Sequence, residues 1–297
     1  TMTDEELAQL AAEEAEAAEH GDADEVIHIE DRAPSESASS VDFDQETLRR
    51  RPHAQPSDLL RQIPGLTVAQ HAGGGKSDQY FLRGFDADHG TDVALFVDGV
   101  PVNLTSHGHG QGYADSHWVI PATIAGLSMH KGPYAARYGD FYTAGAIEMR
   151  TIDRVERPTA TLSLSSTMAG PVAFERVDRN IVAMASPTVG DGTALLAVEH
   201  GITDGPVLFA QRFRRSAMLG KLAIPLGAGE LRLATTYYAA TWNQSGQLPA
   251  AEVDAGRLDR FATLDPFEGG NSSRSSLSLG YQVADDHGGR WSIAGYG

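Results

Sequence analysis

The stretch SHGHGQGYADSH, residues 106–117, holds the densest group of chemically active side chains in this sequence. His107 and His109 are separated by one glycine, so both imidazoles of an extended loop can turn toward one metal ion, with Asp115 or His117 as a further ligand. The alternative is a glycine-rich loop whose histidines hydrogen-bond within the fold or face water. The residues alone leave both interpretations open.

Two other patterns suggest enzyme chemistry but fail on spacing. The run GGGKS at residues 73–77 lacks the glycine that a phosphate-binding loop needs at position 70, and a strand-like run follows it where a helix should begin. Asp115, Ser116 and His117 are hydrolase residue types, but no nucleophile-elbow sequence accompanies them. We therefore predict that the protein is not an enzyme and that it needs no cofactor.

The elements around the histidine-rich loop predict a compact α/β (α+β) domain over residues 45–152. Strands and short helices in one small domain predict a mixed sheet. The predicted elements are a short helix from a Ser57 cap through Leu60 and Ile63, strands at 66–69, 80–83, 93–97, 127–130 and 146–151, a hairpin turn at Asp98-Gly99, and a short helix beginning at 120–124.

Residues 153–297 change to a period of two, in which apolar side chains alternate with small or polar ones, as Leu277 and Leu279 do with Ser278. Short turns alternate with long polar loops, above all residues 243–272, which favours an antiparallel transmembrane β-barrel over a soluble β-sandwich. The seven predicted strands are 157–169, 175–187, 192–202, 211–226, 229–243, 273–285 and 289–297.

The net charge of −17 is concentrated at the start of the chain. Twelve Asp and Glu and no Lys or Arg occur in residues 1–31, so no basic patch is present to bind phosphates, and we exclude nucleic acid as a partner. The absence of cysteine excludes disulfides and thiolate metal sites. Residues 1–31 also lack the basic start and apolar core of a signal peptide, so we expect a processed chain or a fragment.

Within the acidic tail, residues 1–44, the segment DEVIHIE at 24–30 is a short β-prone island. A segment of this kind can add itself as a strand to the edge of a partner's sheet.

Three segments in order, SDLLRQIPGLTV, YFLRGFDADHGTDVALFVDGVPVN and KGPYAARYGDFYTAGAIEMRT between residues 57 and 151, resemble the plug domain of a TonB-dependent outer-membrane receptor. Their combination is specific, although none of them is so alone. The resemblance implies that residues 45–152 plug a β-barrel of about 22 strands. Residues 153–297 would then be the N-terminal portion of that barrel, truncated after about seven strands.

The resemblance also implies a set of functional residues. The segment at 24–30 takes the place of the TonB box, although His28 stands where the family commonly has a small or β-branched residue. Arg83 in LRGF and Arg137 in AARYG correspond to arginines that tie plug to barrel wall through carboxylates. The implied TonB contacts are Glu25, Val26, Ile27, His28 and Ile29, and the implied ligand contacts on the apical plug loop are His107, His109, Gln111, Tyr113 and Asp115.

The function implied is TonB-coupled import of a scarce nutrient, such as siderophore-bound iron, driven by the proton-motive force. The protein would lie in the bacterial outer membrane, with its tail and plug base facing the periplasm. Its partners would be TonB, a small-molecule or metal-chelate ligand, and outer-membrane lipid. Two alternatives stay open, namely a zinc-type metal receptor built on residues 107–117, and a non-transport interaction protein such as an adhesin that uses residues 243–272.

Overall fold

The computed structural model of the chain describes residues 39–51, 53, 55–70, 74–86, 89–166, 175–284 and 289–297. The predicted TonB contacts at 25–29 lie outside these residues. In the part of the chain that is described, no helix is long and apolar enough to cross a membrane.

Helices are few and short. They are α1 Gln45–Arg49, α2 Pro56–Leu60 and α3 Ala250–Asp254, with single 3₁₀ turns at Pro121–Thr123 and Ala136–Tyr138. The first eight strands are β1 Ser40–Asp44, β2 Leu66–Ala69, β3 Gln79–Leu82, β4 Phe85–Asp86, β5 Val93–Val97, β6 Val100–Pro101, β7 Ile124–Lys131 and β8 Gly145–Thr151. The remaining strands are β9 Thr159–Ser166, β10 Val177–Ala185, β11 Thr188–Val189, β12 Gly192–Thr203, β13 Phe213–Leu226, β14 Gly229–Asn243, β15 Gly269–Ala284 and β16 Arg290–Tyr296.

The plug, residues 39–152, is built on a five-stranded sheet in the order β1-β7-β8-β5-β6. Strands β5 and β8 are parallel and the other pairs antiparallel, which confirms the predicted mixed sheet. A second, antiparallel sheet contains β2, β3 and β4. Strand β1 joins the larger sheet ahead of the predicted domain start at residue 45.

The start of α2 differs from the prediction. Gln55 occupies the N-cap position, its N–H donates to Asp58 Oδ2 over 3.0 Å, and Pro56 takes the first helical position, where its missing N–H costs nothing. The prediction of Ser57 as the cap was therefore wrong, as was the extension to Ile63, because the helix ends at Leu60.

The barrel sheet, β9 to β16, is antiparallel throughout and runs in the order β16-β15-β14-β13-β12-β10-β9, with the two-residue β11 paired to β12. All seven predicted strands are confirmed, with ends that shift by a few residues. The largest shift is in β15, which begins at Gly269, so the long polar loop is shorter than predicted and contains α3.

The two faces of the barrel sheet differ as the period of two predicts. The outward set consists of the side chains in register with Leu277 and Leu279, which are about half exposed (54% and 51%). Its charged members on the described strands are Arg179 and Arg214, and both are paired with Ile202 of β12. The inward positions of β15 carry small side chains except at Arg274 and Gln282, and the Arg274 guanidinium lies 5.0 Å from the centroid of the Trp118 ring of the plug.

Plug and barrel sheet share one hydrophobic core, which contains Leu95 and Met129 from the plug and Phe213 and Tyr238 from the sheet. The approach is closest at Gly75, where a Cβ atom would lie 1.8 Å from the Trp242 ring. Gly74 and Gly75 are both buried.

Candidate functional site

The candidate ligand surface lies on the apical loop, residues 104–117, which follows the β5–β6 hairpin. A bridge between Leu104 and Tyr113 closes the loop. At its tip the His107 ring stacks on Tyr113 with the centroids 4.0 Å apart, and the His109 ring meets His89 edge-on at 4.5 Å. These four side chains form an imidazole–phenol cluster whose His107 and His109 members are exposed.

Asn103 positions the apical loop by hydrogen-bonding with both ends of its amide. Its Nδ2 donates to the carbonyl oxygens of Gly90, Val93 and Gly112 over 2.9 to 3.0 Å. Its Oδ1 accepts the Leu95 N–H over 2.7 Å. One side chain thereby fixes the apical loop to the start of β5.

Tyr113 connects the exposed surface to the inside of the plug. Its hydroxyl accepts the Ser77 N–H over 2.9 Å, and the Ser77 hydroxyl donates to the Ala114 carbonyl over 2.5 Å. Burial raises the pKa of Tyr113 to about 12, so the phenol is protonated near neutral pH. The loop that would meet a ligand is therefore joined to the segment that leads into β3.

A buried group of ionisable side chains lies beneath the loop. His117 Nδ1 is 2.7 Å from Asp115 Oδ1, which also accepts the His117 N–H over 2.9 Å. Burial by itself lowers the pKa of His117, but the neighbouring Asp115 and Asp78 carboxylates outweigh it, so the pKa is raised. Burial raises the pKa of Asp78, and the neighbouring His117 and Ser57 side chains oppose this rise. Within the described residues, the Nε2 atom of His117 has no hydrogen-bond partner.

The predicted metal pair is brought together without a third ligand. His107 Nδ1 accepts the His109 N–H over 3.1 Å, and Asp115 is engaged by His117. Among the residues that the structure describes, no group of three His, Asp or Glu side chains is arranged to hold a metal ion. Gln111 is exposed, and its backbone carbonyl accepts a hydrogen bond from the Thr91 hydroxyl over 3.0 Å.

Residues 33–146 match the family model of the TonB-dependent receptor plug domain. This part of the chain is therefore similar to the plug domain of TonB-dependent receptors. A curated relative, the ferric enterobactin receptor PirA of Pseudomonas aeruginosa, is 29% identical over 133 residues, which are 41% of this chain and 17% of that protein.

Two solved structures share the fold of this chain. Unliganded ferric citrate transporter FecA superposes with a TM-score of 0.74 at 19% identity and covers 87% of this chain. The siderophore receptor PirA of Acinetobacter baumannii gives 0.64 at 17% identity and covers 86%. The chain spans 39% of each of those two structures, so its fold is that of a plug followed by part of an antiparallel barrel.

The two arginines expected to tie the plug to the barrel wall lie in the short connections between plug strands. Arg83 is exposed, with a positive φ of 53°, between β3 and β4. Arg137 donates to the Tyr138 hydroxyl over 2.6 Å and lies 3.7 Å from the Glu148 carboxylate, and both of these partners belong to the plug. Contact of either arginine with a barrel carboxylate stays a prediction.

The sequence analysis did not predict the residues by which the barrel sheet contacts the plug. Arg215 and Lys221 on β13 both reach plug atoms, and Glu199 on β12 pairs with Arg215. A signal was present, because these are charged residues on the inward positions of strands whose other inward residues are small or apolar. Asn103 was also missed, although it stands in the quoted VPVN segment.

Proposed function

We propose that this chain is the plug and first barrel strands of an outer-membrane receptor that imports a ferric chelate with energy delivered through TonB. The observation that carries the proposal is the exposed imidazole–phenol cluster on a plug whose sequence matches this family. Relatives described as receptors for ferric enterobactin and as a ferric citrate transporter support a ferric chelate as the class of ligand.

The cluster has the chemistry that such a ligand needs. Ferric chelates of catecholate or carboxylate type present anionic oxygen atoms, and the exposed His107, His109 and Gln111 side chains offer N–H donors. The stacked Tyr113 ring adds a flat apolar surface. Asp115 would act indirectly, by holding His117 and with it the end of the loop.

The ligand proposal is tested in the full-length receptor with ferric enterobactin and ferric citrate as probes. Replacing both histidines, His107→Ala with His109→Ala, removes two donors and is expected to weaken binding of one probe about tenfold or more. His53→Ala, near Thr159 at the short-turn end of the barrel sheet, is the matched control. Unchanged affinity for both probes in the double variant would move the ligand site away from this loop.

The coupling proposal assigns strand addition to residues 25–29. Ile27→Pro removes a backbone donor in the middle of that segment and is expected to abolish binding of the full-length receptor to the TonB C-terminal domain. A proline in place of Ala8, outside the segment, is the control. Equal binding by both variants would contradict the assignment.

A further inference from the structure

Strand β13 carries two inward cations, and each of them contacts a different part of the plug. Arg215 and Lys221 are six residues apart on the same face, which corresponds to about 20 Å along the strand. In both contacts a cation of the barrel sheet reaches plug atoms. Arg83 and Arg137 were expected to do the opposite, with a cation of the plug reaching a carboxylate of the barrel.

The first contact, at Arg215, is buried. Arg215 pairs with Glu199 of the neighbouring strand, and only 5% and 1% of the two side chains are exposed. The second oxygen of Glu199 accepts from Asn180 Nδ2 over 2.7 Å. The charge of Arg215 is therefore balanced within the wall by Glu199 of β12, which also accepts a hydrogen bond from Asn180 of β10.

The pair with Glu199 leaves other N–H groups of Arg215 available as donors, because a guanidinium carries five of them. Its Nη1 donates to the backbone carbonyl of His117 over 3.0 Å. His117 is the last residue of the apical loop, and Asp115 fixes its ring and amide. The wall thereby holds the end of the loop that carries the imidazole–phenol cluster.

The second contact, at Lys221, lies where the plug ends. Lys221 Nζ is 3.1 Å from the Thr151 hydroxyl, 2.5 Å from Asp153 Oδ1 and 3.5 Å from Asp98 Oδ2. Asp98 in turn accepts the Thr151 N–H over 2.8 Å and its hydroxyl over 2.5 Å. Thr151 is the last residue of β8, after which the chain turns toward β9, so Lys221 holds the plug-to-barrel junction.

We propose that Arg215 and Lys221 are positioning residues with separate tasks. Arg215 fixes the apical loop against the wall, and Lys221 fixes the plug-to-barrel junction at Asp98, Thr151 and Asp153. The part played by Arg215 in ligand affinity rests on the proposed function, whereas the two attachments themselves do not. One strand would then govern loop geometry and plug retention independently.

Arginine-to-lysine replacement separates the positioning role of Arg215 from charge balance. Lys keeps the positive charge beside Glu199, but a single ammonium cannot reproduce the forked geometry that reaches Glu199 and His117 together. Arg215→Lys should therefore preserve the folded wall and release the loop. Lys221→Met keeps the length of the side chain and removes the charge at the junction.

Hydrogen exchange on the ligand-free, full-length receptor measures both attachments at once. Arg215→Lys is expected to speed exchange of amides in residues 104–118 about tenfold while leaving residues 145–158 at the wild-type rate, and Lys221→Met is expected to do the opposite. Arg214→Gln, next to Arg215 but in the outward set, is the matched control and should change neither segment.

The proposal is overturned if either variant speeds both segments equally or if neither segment changes. If Arg215→Lys fails to fold, the double replacement Arg215→Met with Glu199→Met removes the buried pair without leaving a lone charge. It must then loosen residues 104–118 alone. If Lys221→Met fails to fold, Asp153→Asn removes one carboxylate partner of Lys221 instead and must loosen residues 145–158 alone.

Measuring ligand affinity in the same variants distinguishes failure of this inference from failure of the proposed function. Ferric enterobactin and ferric citrate should bind Arg215→Lys more weakly than Arg214→Gln. If wild-type receptor binds neither probe, the proposed ligand class fails while the exchange result stands. If a probe binds Arg215→Lys as tightly as wild type although the loop has loosened, the link between loop position and ligand affinity is refuted.

Discussion

In the plug, large apolar side chains such as Leu95 and Ile147 are completely buried, whereas on the barrel sheet Leu277 and Leu279 leave about half of their surface exposed. The plug buries these side chains in the core that it shares with the inward face of the barrel sheet. The barrel sheet has a partner on its inward face only, and its outward leucines need an apolar environment. The contrast teaches that the plug buries its large apolar side chains whereas the barrel sheet leaves those on its outward face half exposed, a face that would meet lipid in the receptor proposed above.

The largest effect should come from a matched pair of leucine truncations. Leu95→Ala leaves a cavity in the plug core and is expected to cost about 2–5 kcal/mol of unfolding free energy. Leu277→Ala removes a half-exposed side chain and should cost less than about 1 kcal/mol in detergent. Thermal unfolding of the full-length receptor measures both, and equal shifts in melting temperature would break the contrast.

Asn103→Ala should come next, because it removes four hydrogen bonds that hold the apical loop to β5. The substitution leaves three carbonyl groups and one amide without partners, so we expect the unfolding free energy to fall by about 2–4 kcal/mol. The measurement is the melting temperature of the plug. Asn271→Ala on the exposed face of β15 is the control, and a similar shift in both variants would contradict the role assigned to Asn103.

Gly75→Ala tests how tightly the plug fits the wall. The added methyl group would overlap the Trp242 ring, so we expect a cost of about 1–3 kcal/mol. Gly108→Ala is the matched control, since no atom lies within 4 Å of its added Cβ atom and its φ is not positive. If both variants unfold at the same temperature, the seam between plug and barrel sheet is looser than the structure shows.

The smallest effect should be a pH dependence from His117. Its pKa is raised in the folded protein by Asp115 and Asp78, with Arg215 opposing. The stabilisation is therefore fully present below the unfolded pKa of about 6.5 and is lost as the pH rises through the folded value.

His117→Gln should flatten the fall in melting temperature as the pH rises above about 6.5. Asp78→Asn is the second variant, because Asp78 also has a raised pKa in the same buried group. An unchanged pH profile in His117→Gln would show that another group titrates.

The sequence predicted the strands well because their period is visible without any knowledge of their partners. The outward set of β13, β14 and β15 alternates over long runs, so both the existence and the approximate ends of these strands follow from it. Helix ends were predicted less well. The capping role of Gln55 depends on Asp58 reaching back to its N–H, whereas Ser57 faces the buried Asp78.

The site was predicted only in part, because spacing in sequence does not reveal contacts between distant segments. The apical loop itself was predicted from its histidines. The stacking of His107 on Tyr113, however, follows from the Leu104–Tyr113 bridge, and the contact between Arg215 and His117 joins residues 98 positions apart. The close approach of Gly75 to the Trp242 ring likewise joins residues more than 160 positions apart, so the sequence does not show it.

In the proposed receptor, the outward pair Arg179 and Arg214 would lie at one boundary of the apolar part of the membrane. Both lie in one row of the barrel sheet, and the row of Ile224, Leu231, Tyr281 and Ile293 lies ten residues further along β13. Ten residues rise about 33 Å along a strand, and a tilt of about 40° reduces this to a height of about 25 Å. That is the thickness of the apolar band of outer-membrane barrels, so in the proposed receptor the guanidinium groups would mark the level at which hydrocarbon gives way to headgroups.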